Sequence, residues 1–179
     1  HRQLMGIPLQ PCDLDFTTCL YRYEKPASPH LSVKLANAVL DFKIITKSTQ
    51  QLQQSYDAVL LEGAGGLLVP ITEQLLTLDY IAEQDYPVVL VTSGRLGSIN
   101  HTLLSLEAIK ARGLTLHSVI YNHIHDNAAQ TDDEITNSTI DYLKNYLARH
   151  YPNSYWLQMA QQINSTIGND NLALPPDFI

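Results

Sequence analysis

The sequence predicts an α/β fold, a mostly parallel sheet with crossover helices. Three short apolar runs are typical of buried strands, and segments with helical spacing separate them. Strand, loop and helix alternating in this order indicate parallel strands joined by helices. At 179 residues the chain is long enough for one full-sized core, so we expect a single domain over residues 1–179.

The three predicted strands are marked by the residues that bound them. Residues 58–61 are continuously apolar and end at Glu62, as expected of a buried strand that meets a tight loop. Residues 87–91 begin with proline, which a strand accepts at its first position because that amide need not join the ladder. Residues 116–121 form the third strand and end at Asn122.

Five segments carry the apolar spacing of amphipathic helices, and Gly113 stops one of them. They are residues 31–42, 45–56, 75–84, 98–112 and 132–149. The two ends of the chain do not follow this alternation of strands and helices. We expect residues 1–30 to be extended and rich in loops, and residues 160–179 to form a loosely attached tail.

Composition excludes several classes of partner. The net charge is -7, so neither nucleic acid nor an anionic membrane is the expected partner. No apolar run reaches the roughly 18 residues that a membrane span needs. Cys12 and Cys19 fit neither a disulfide framework nor a zinc site, which makes a reduced, cytoplasmic setting the simplest interpretation.

Three polar or glycine-rich segments follow the predicted strands: residues 62–66, 93–100 and 122–125. Ligands of open α/β sheets bind beyond the carboxyl ends of the strands. We therefore expect all three segments to lie along one edge of the sheet.

Glu62 is the candidate metal ligand. A carboxylate at the end of a buried strand occupies the position from which phosphate-loop enzymes hold magnesium, directly or through water. Gly65 and Gly66 leave room for a ligand to approach the backbone. The alternative is a glutamate that only caps a turn.

Gly97, Ser98, Ile99 and Asn100 open the helix predicted from residue 98. The first turn of a helix offers unpaired N–H groups and a partial positive charge, which suit a carboxylate or a phosphate. Asn100 adds a side-chain donor, and Ser98 can cap the turn; the alternative is that Ser98 is an N-cap and nothing more. Arg95 fits an anion-related role and a surface salt bridge about equally.

Asn122 and the histidines after it are weaker candidates. An asparagine amide pairs a donor with an acceptor and so suits the edge of a purine, but the residues alone favour a turn-forming asparagine. His123 and His125 have the spacing of metal ligands without a third ligand, which favours ordinary loop histidines. No glycine-rich loop ending in Gly-Lys-Ser or Gly-Lys-Thr occurs, so the acid at Glu62 represents half of a nucleotide site.

Several of these motifs together resemble the dethiobiotin synthetase family. Residues 59–66 followed by Val69 and Pro70 are similar to the family's central signature, and residues 87–91 and 96–104 to the next one. Residues 21–23 and 26–31 resemble its extended segment. The likeness covers residues 15–125 and fades towards the C-terminus.

The resemblance implies a P-loop NTPase-like fold and a homodimeric, cytoplasmic ligase of biotin synthesis. Members of the family carboxylate 7,8-diaminononanoate with carbon dioxide, phosphorylate the carbamate with ATP and close a cyclic urea. Glu62 would then hold Mg²⁺ at the triphosphate, beside Gly65 and Gly66. Asn122 would contact adenine, against the interpretation from the residues alone. The amides of residues 97–100 and the Asn100 side chain would bind the substrate carboxylate, across the dimer interface.

The departures from the family pattern bear on activity. The phosphate-binding loop, its magnesium-binding threonine and the lysine of the next strand belong before residue 1, and a further metal-binding aspartate belongs at or just before His1. Residues 155–160 stand where the family has Gly-x-x-Pro beside adenine. We therefore expect the C-terminal portion of a synthetase-like fold, incomplete at the N-terminus, in which no catalytic residue is assigned and which is inactive alone. The alternatives are a non-catalytic dimerisation or binding remnant and a partition-type switch ATPase.

Overall fold

The computed structural model describes residues 1–3, 5–123 and 133–159. Of these, the residues from His1 to Tyr80 form one compact unit and those from Ile81 onward form a second. The helices and strands follow one another as α1 (Pro11–Leu14), α2 (Pro29–Leu35), α3 (Phe42–Gln53), α4 (Thr77–Glu83), β1 (Val88–Ser93), α5 (Ser98–Ala111), β2 (Leu116–Asn122), α6 (Asp133–His150) and β3 (Tyr155–Met159).

The second unit contains a parallel sheet in the order β1-β2-β3, with helices connecting its strands. This confirms the predicted α/β class. Ser93 pairs with Asn122, and Asn122 pairs with Met159, so the three strands end at the same edge of the sheet. The predicted carboxyl edge therefore exists for the segments that follow β1 and β2.

Helices α5 and α6 bury the apolar stripes that their sequences predict. Leu106 and Ile109 of α5 and Leu143 and Leu147 of α6 are almost fully buried, and so is Tyr121 of β2. Full burial of one such side chain contributes about 1.5–3 kcal/mol to stability. This packing fixes the helix that opens at Ser98.

In the first unit, Tyr80 in the middle of α4 anchors α3. Its ring centroid lies 5.3 Å from that of Phe42, and its hydroxyl lies 2.9 Å from Thr46 Oγ1. Helix α3 begins after Asp41, whose carboxylate accepts a hydrogen bond from the Lys43 amide. This is the N-cap arrangement that satisfies one of the unpaired amides of a first turn.

The strand predicted at residues 58–61 is wrong. These residues form no strand, and the Leu60 side chain is 88% exposed. A strand requires a neighbour with which to exchange hydrogen bonds, and no segment in the described part of the chain pairs with this one. Glu62 therefore does not follow a strand here, and the rule that placed it on the sheet edge does not apply to it.

The interpretation of residues 155–160 also needs correction. Tyr155–Met159 is strand β3, paired in parallel with β2, so it does not replace a loop that follows the last strand. The residues that follow this strand, including the predicted tail at 160–179, lie outside the described residues, and so does His125.

The predicted helices are confirmed, with one change of length and one shift, since the helix predicted over 45–56 runs over Phe42–Gln53. The segment predicted over 31–42 is helical only over Pro29–Leu35, because Asn37 adopts a positive φ of 49° and ends the helix. The described residues contain no helix long and apolar enough to cross a bilayer.

Candidate functional site

Glu62 presents its carboxylate to solvent in the first unit. Its side chain is 77% exposed, and its Oε2 lies 3.5 Å from His1 Nε2. Position 1 thus lies beside the candidate metal ligand. An exposed pair of this kind contributes little to stability, so the carboxylate is free of any strong competing contact.

The glycines after Glu62 have different structural roles. Gly65 has a φ of +96°, and a Cβ there would lie 2.8 Å from Val69 Cγ2. A Cβ on Gly63 would lie 2.9 Å from Thr77 Cγ2, whereas one on Gly66 would meet no heavy atom within 4 Å. The backbone conformation at Gly65 therefore favours glycine, and a Cβ on Gly63 would require the Thr77 methyl group to shift. The open space at Gly66 suits the approach of a ligand.

A short hydrogen-bonded hairpin ties this loop to the start of α4. The Thr77 amide donates to the Val69 carbonyl over 3.0 Å, and the Leu78 amide donates to the Leu67 carbonyl over 2.9 Å. Leu78 is fully buried. The glycine loop is thus attached to the core of its unit although Glu62 itself is exposed.

The Glu62 carboxylate is an oxygen ligand of the kind that magnesium takes. Among residues 1–3, 5–123 and 133–159, no group of three His, Cys, Asp or Glu side chains is placed to hold a metal ion. Magnesium prefers oxygen ligands, keeps several waters and is commonly held by one or two carboxylates together with phosphates. A single exposed carboxylate is compatible with that mode of binding.

In the second unit, Asn122 lies at the carboxyl edge of the central strand. It pairs with Ser93 on one side and with Met159 on the other. The next residue, His123, donates its amide to the Met159 carbonyl over 3.0 Å, and its Nε2 lies 3.2 Å from Gln158 Oε1. The end of β2 is therefore held in place by β3.

The first turn of α5 follows β1 and offers amides to a ligand. Gly97, not Ser98, is the N-cap; it has a φ of 85° and makes no side-chain capping bond, so the predicted capping role of Ser98 is wrong. The Ser98 amide donates to the Arg95 carbonyl over 3.0 Å, which removes it from the predicted set of ligand-binding amides. No acceptor in the described part of the chain takes the amides of Ile99 and Asn100.

The side chains of this turn point to different roles. Ser98 is buried, and Ile99 packs against the core cluster formed by Tyr121 and residues of α6. Asn100 is exposed. Because the first amides of a helix are unpaired and carry partial positive charge, this turn can bind a carboxylate through two amides and the Asn100 side chain.

Comparison with known proteins identifies the family. A family model described as an AAA domain matches residues 16–169. The ATP-dependent dethiobiotin synthetase of Pasteurella multocida is 46% identical over 154 residues, which are 86% of this chain and 70% of that protein. The chain belongs to the dethiobiotin synthetase family. The synthetase of Chlorobaculum tepidum is 49% identical over 150 residues, and that of Haemophilus influenzae is 57% identical over 122 residues.

This member of the dethiobiotin synthetase family spans only part of the length of its relatives. The matched regions cover 84% of the chain but 61% of the Chlorobaculum protein, and 68% of the chain but 64% of the Haemophilus protein. The activity, substrates and partners of a whole synthetase are therefore proposals for this chain.

Two contributions to the site were missed by sequence reasoning. The Arg95 carbonyl, which accepts the Ser98 amide, has no sequence signal. The core contact of Ile99 did have a sequence signal, because Ile99, Leu103 and Leu106 recur at helical spacing along α5 and so indicate a buried stripe. That spacing marks Ile99 as a core residue that positions the turn.

Proposed function

We propose that this chain carries the magnesium-binding and carboxylate-binding residues of an ATP-dependent dethiobiotin synthetase. The observation that carries the proposal is the first turn of α5, where two amides that have no acceptor among the described residues adjoin the exposed side chain of Asn100. Such a turn can donate hydrogen bonds to a substrate that ends in a carboxylate.

The proposed reaction closes a cyclic urea. Carbon dioxide adds to an amine of 7,8-diaminononanoate, ATP phosphorylates the carbamate, and the second amine displaces phosphate as the ring forms. Gly97, Ser98, Ile99 and Asn100 form the substrate-binding segment, with the amides of Ile99 and Asn100 as the donors. They would hold the carboxylate end of the substrate, in the partner's active site of a homodimer.

Glu62 is the proposed ligand of Mg²⁺, whose charge when bound would offset that of the triphosphate. Gly65 and Gly66 form the adjoining part of the nucleotide site, where the open space at Gly66 supports close approach of a phosphate. Asn122, at the carboxyl edge of β2, is the proposed contact to adenine.

The proposed setting is the one that the family resemblance implies. Residues 1–179 would form one domain of a cytoplasmic homodimer that binds ATP and small substrates. A net charge of -7 supports a function without nucleic-acid or membrane partners.

A fusion of this chain to the phosphate-binding part of the Pasteurella multocida relative tests the function. We expect the fusion to form dethiobiotin from 7,8-diaminononanoate, carbon dioxide and ATP, as measured by mass spectrometry of the product. Glu62→Gln should lower kcat at least about 100-fold, because it removes a charged ligand of the ion, while the thermal unfolding midpoint stays close to that of the parent. Full activity of Glu62→Gln would exclude the metal role.

The carboxylate site has its own variant. Asn100→Ala in the same fusion should raise the KM for 7,8-diaminononanoate about tenfold, the cost of one hydrogen bond to a charged group, and leave the KM for ATP little changed. Lys110→Gln, at an exposed residue in the last turn of α5, is the matched control. An equal loss of affinity for both substrates in Asn100→Ala would count against the site.

A further inference from the structure

The first turn of α5 rests on an apolar cluster that brings together α5, α6, β2 and β3. Its buried centre and the partly buried residues packed against it are Tyr121, Ile140 and Leu143, with Ile99, Leu103 and Trp156. Tyr121 is completely buried. The cluster therefore sets how closely α5 approaches the sheet.

Ile99 links the cluster to the carboxylate site. Its side chain packs on the cluster, and its amide is one of the two in the turn that have no acceptor in the described residues. One residue thus carries both a core contact and a ligand-binding group. A side chain of the cluster can therefore influence the position of that amide through Ile99.

Trp156 supplies the largest side chain of this cluster. Its ring lies 6.1 Å from the Tyr121 ring, inclined at 33°. The indole Nε1 is buried and has no hydrogen-bond partner within the described part of the chain. A buried donor without an acceptor costs stability, which phenylalanine would avoid, so the indole contributes volume here.

We propose that Trp156 is a positioning residue for the substrate carboxylate. Through Tyr121 and Ile99, the indole fixes the first turn of α5 so that its two free amides stay at hydrogen-bonding distance from one carboxylate. The proposal rests on the carboxylate-binding role proposed above for this turn. Hydrogen bonds weaken steeply with misalignment, so a loosened turn loses affinity before the fold loses stability.

Nuclear magnetic resonance of the ¹⁵N-labelled 179-residue chain tests this. In Trp156→Leu we expect the backbone order parameters of Ile99 and Asn100 to fall from about 0.85 towards 0.6, the range of flexible backbone. The Kd for 7,8-diaminononanoate, titrated into the same sample, should rise about tenfold. Trp156→Phe should keep most of the order in the turn and most of the affinity that Trp156→Leu loses, because phenylalanine retains an aromatic ring and lacks the unsatisfied donor.

Tyr155→Leu is the matched control on the same strand. Tyr155 packs its ring on His117 at 5.4 Å and takes no part in the cluster, so this variant should change neither the order parameters nor the Kd. Unchanged order parameters at Ile99 and Asn100 in folded Trp156→Leu would overturn the proposal. If that variant does not fold, the milder truncation Trp156→Met is measured in its place, and unchanged order parameters at Ile99 and Asn100 in folded Trp156→Met would overturn the proposal equally.

The two proposals fail in different ways. If Asn100→Ala binds 7,8-diaminononanoate as tightly as the parent chain, the carboxylate site is wrong whatever Trp156 does. If Asn100→Ala weakens binding while the Trp156 variants keep both affinity and order in the turn, only the positioning role is wrong.

Discussion

At the scale of single residues, the glycine loop after Glu62 separates what the fold requires from what a ligand requires. Gly65 combines a positive φ with a tight approach to Val69, and neither condition suits a residue with a Cβ. Gly66 meets neither condition, because its φ is outside the left-handed region and the space around it is open. The two neighbours should therefore respond differently to the same substitution.

Gly65→Ala should destabilise the chain by about 1–3 kcal/mol, the cost of a strained backbone conformation. Gly66→Ala should change the free energy of unfolding by less than about 1 kcal/mol. Urea unfolding followed by circular dichroism measures both. Within the proposed function, Gly66→Ala would instead raise the KM for ATP in the fusion. Equal destabilisation by both substitutions would contradict this division.

A second residue-scale feature is the ion pair of Arg2 and Asp13. Arg2 Nε lies 2.8 Å from Asp13 Oδ2, and the Gln10 amide donates to the same oxygen over 2.8 Å. The hydrogen bond from Arg2, followed by that from the Gln10 amide, lowers the pKa of the Asp13 carboxyl below its usual value. The folded state therefore favours the charged form.

The consequence is a loss of stability in acid. Because the folded pKa is depressed, the contribution of Asp13 is fully present above its unfolded pKa of about 3.9 and is lost as the pH falls through the folded pKa. Asp13→Asn should destabilise the chain at pH 7, and the difference from the parent chain should shrink below about pH 4. Urea titrations at pH 7, 5, 4 and 3.5 measure this. A constant difference would contradict it. Asp57→Asn, at an exposed residue without a hydrogen-bond partner in the described residues, is the control.

At the scale of elements, sequence patterns succeeded where the stabilising contacts are local or lie within one unit. All the elements with a buried apolar run or stripe in the second unit were predicted, namely β1, β2, α5 and α6. Helix α4, which buries Leu78 and Tyr80, was predicted as well. Residues 58–61 have an equally apolar run but no partner strand among the described residues. Strand formation depends on a distant neighbour, which a local pattern does not contain.

The missed strand and the site residues illustrate the same limit. Tyr155–Met159 mixes aromatic, polar and apolar residues without alternation, and only its register with β2 makes it a strand. The edge that carries Asn122 and the opening of α5 were predictable, because both follow apolar runs. The N-cap at Gly97 was not, since Ser98 is the better capping residue by type. Only the bond from the Ser98 amide to the Arg95 carbonyl reveals which amides of the turn are free.

At the scale of the whole molecule, no sequence motif that holds a triphosphate accompanies the proposed magnesium ligand and the proposed carboxylate-binding turn. No glycine-rich loop ending in Gly-Lys-Ser or Gly-Lys-Thr occurs, and Arg95 is the only lysine or arginine between Lys47 and Lys110. Phosphoryl transfer depends almost entirely on positioning and neutralising the phosphates. The proposed substrate site and the capacity for turnover are therefore separable properties of this chain.

The purified 179-residue chain should bind 7,8-diaminononanoate weakly through α5 and form no dethiobiotin with ATP, because nothing in its sequence cradles the β- and γ-phosphates. Isothermal titration measures the binding, and mass spectrometry of the product measures turnover, with the fusion to the Pasteurella multocida phosphate-binding part assayed in parallel. Turnover by the chain alone would contradict the prediction. If the fusion also stays inactive while Asn100→Ala still weakens binding of the diamine, the chain is a substrate-binding remnant without catalytic function. Activity restored by the fusion and lost again in Glu62→Gln would place the missing function in the phosphate-binding part, and would show that Glu62 contributes to catalysis only when that part is present.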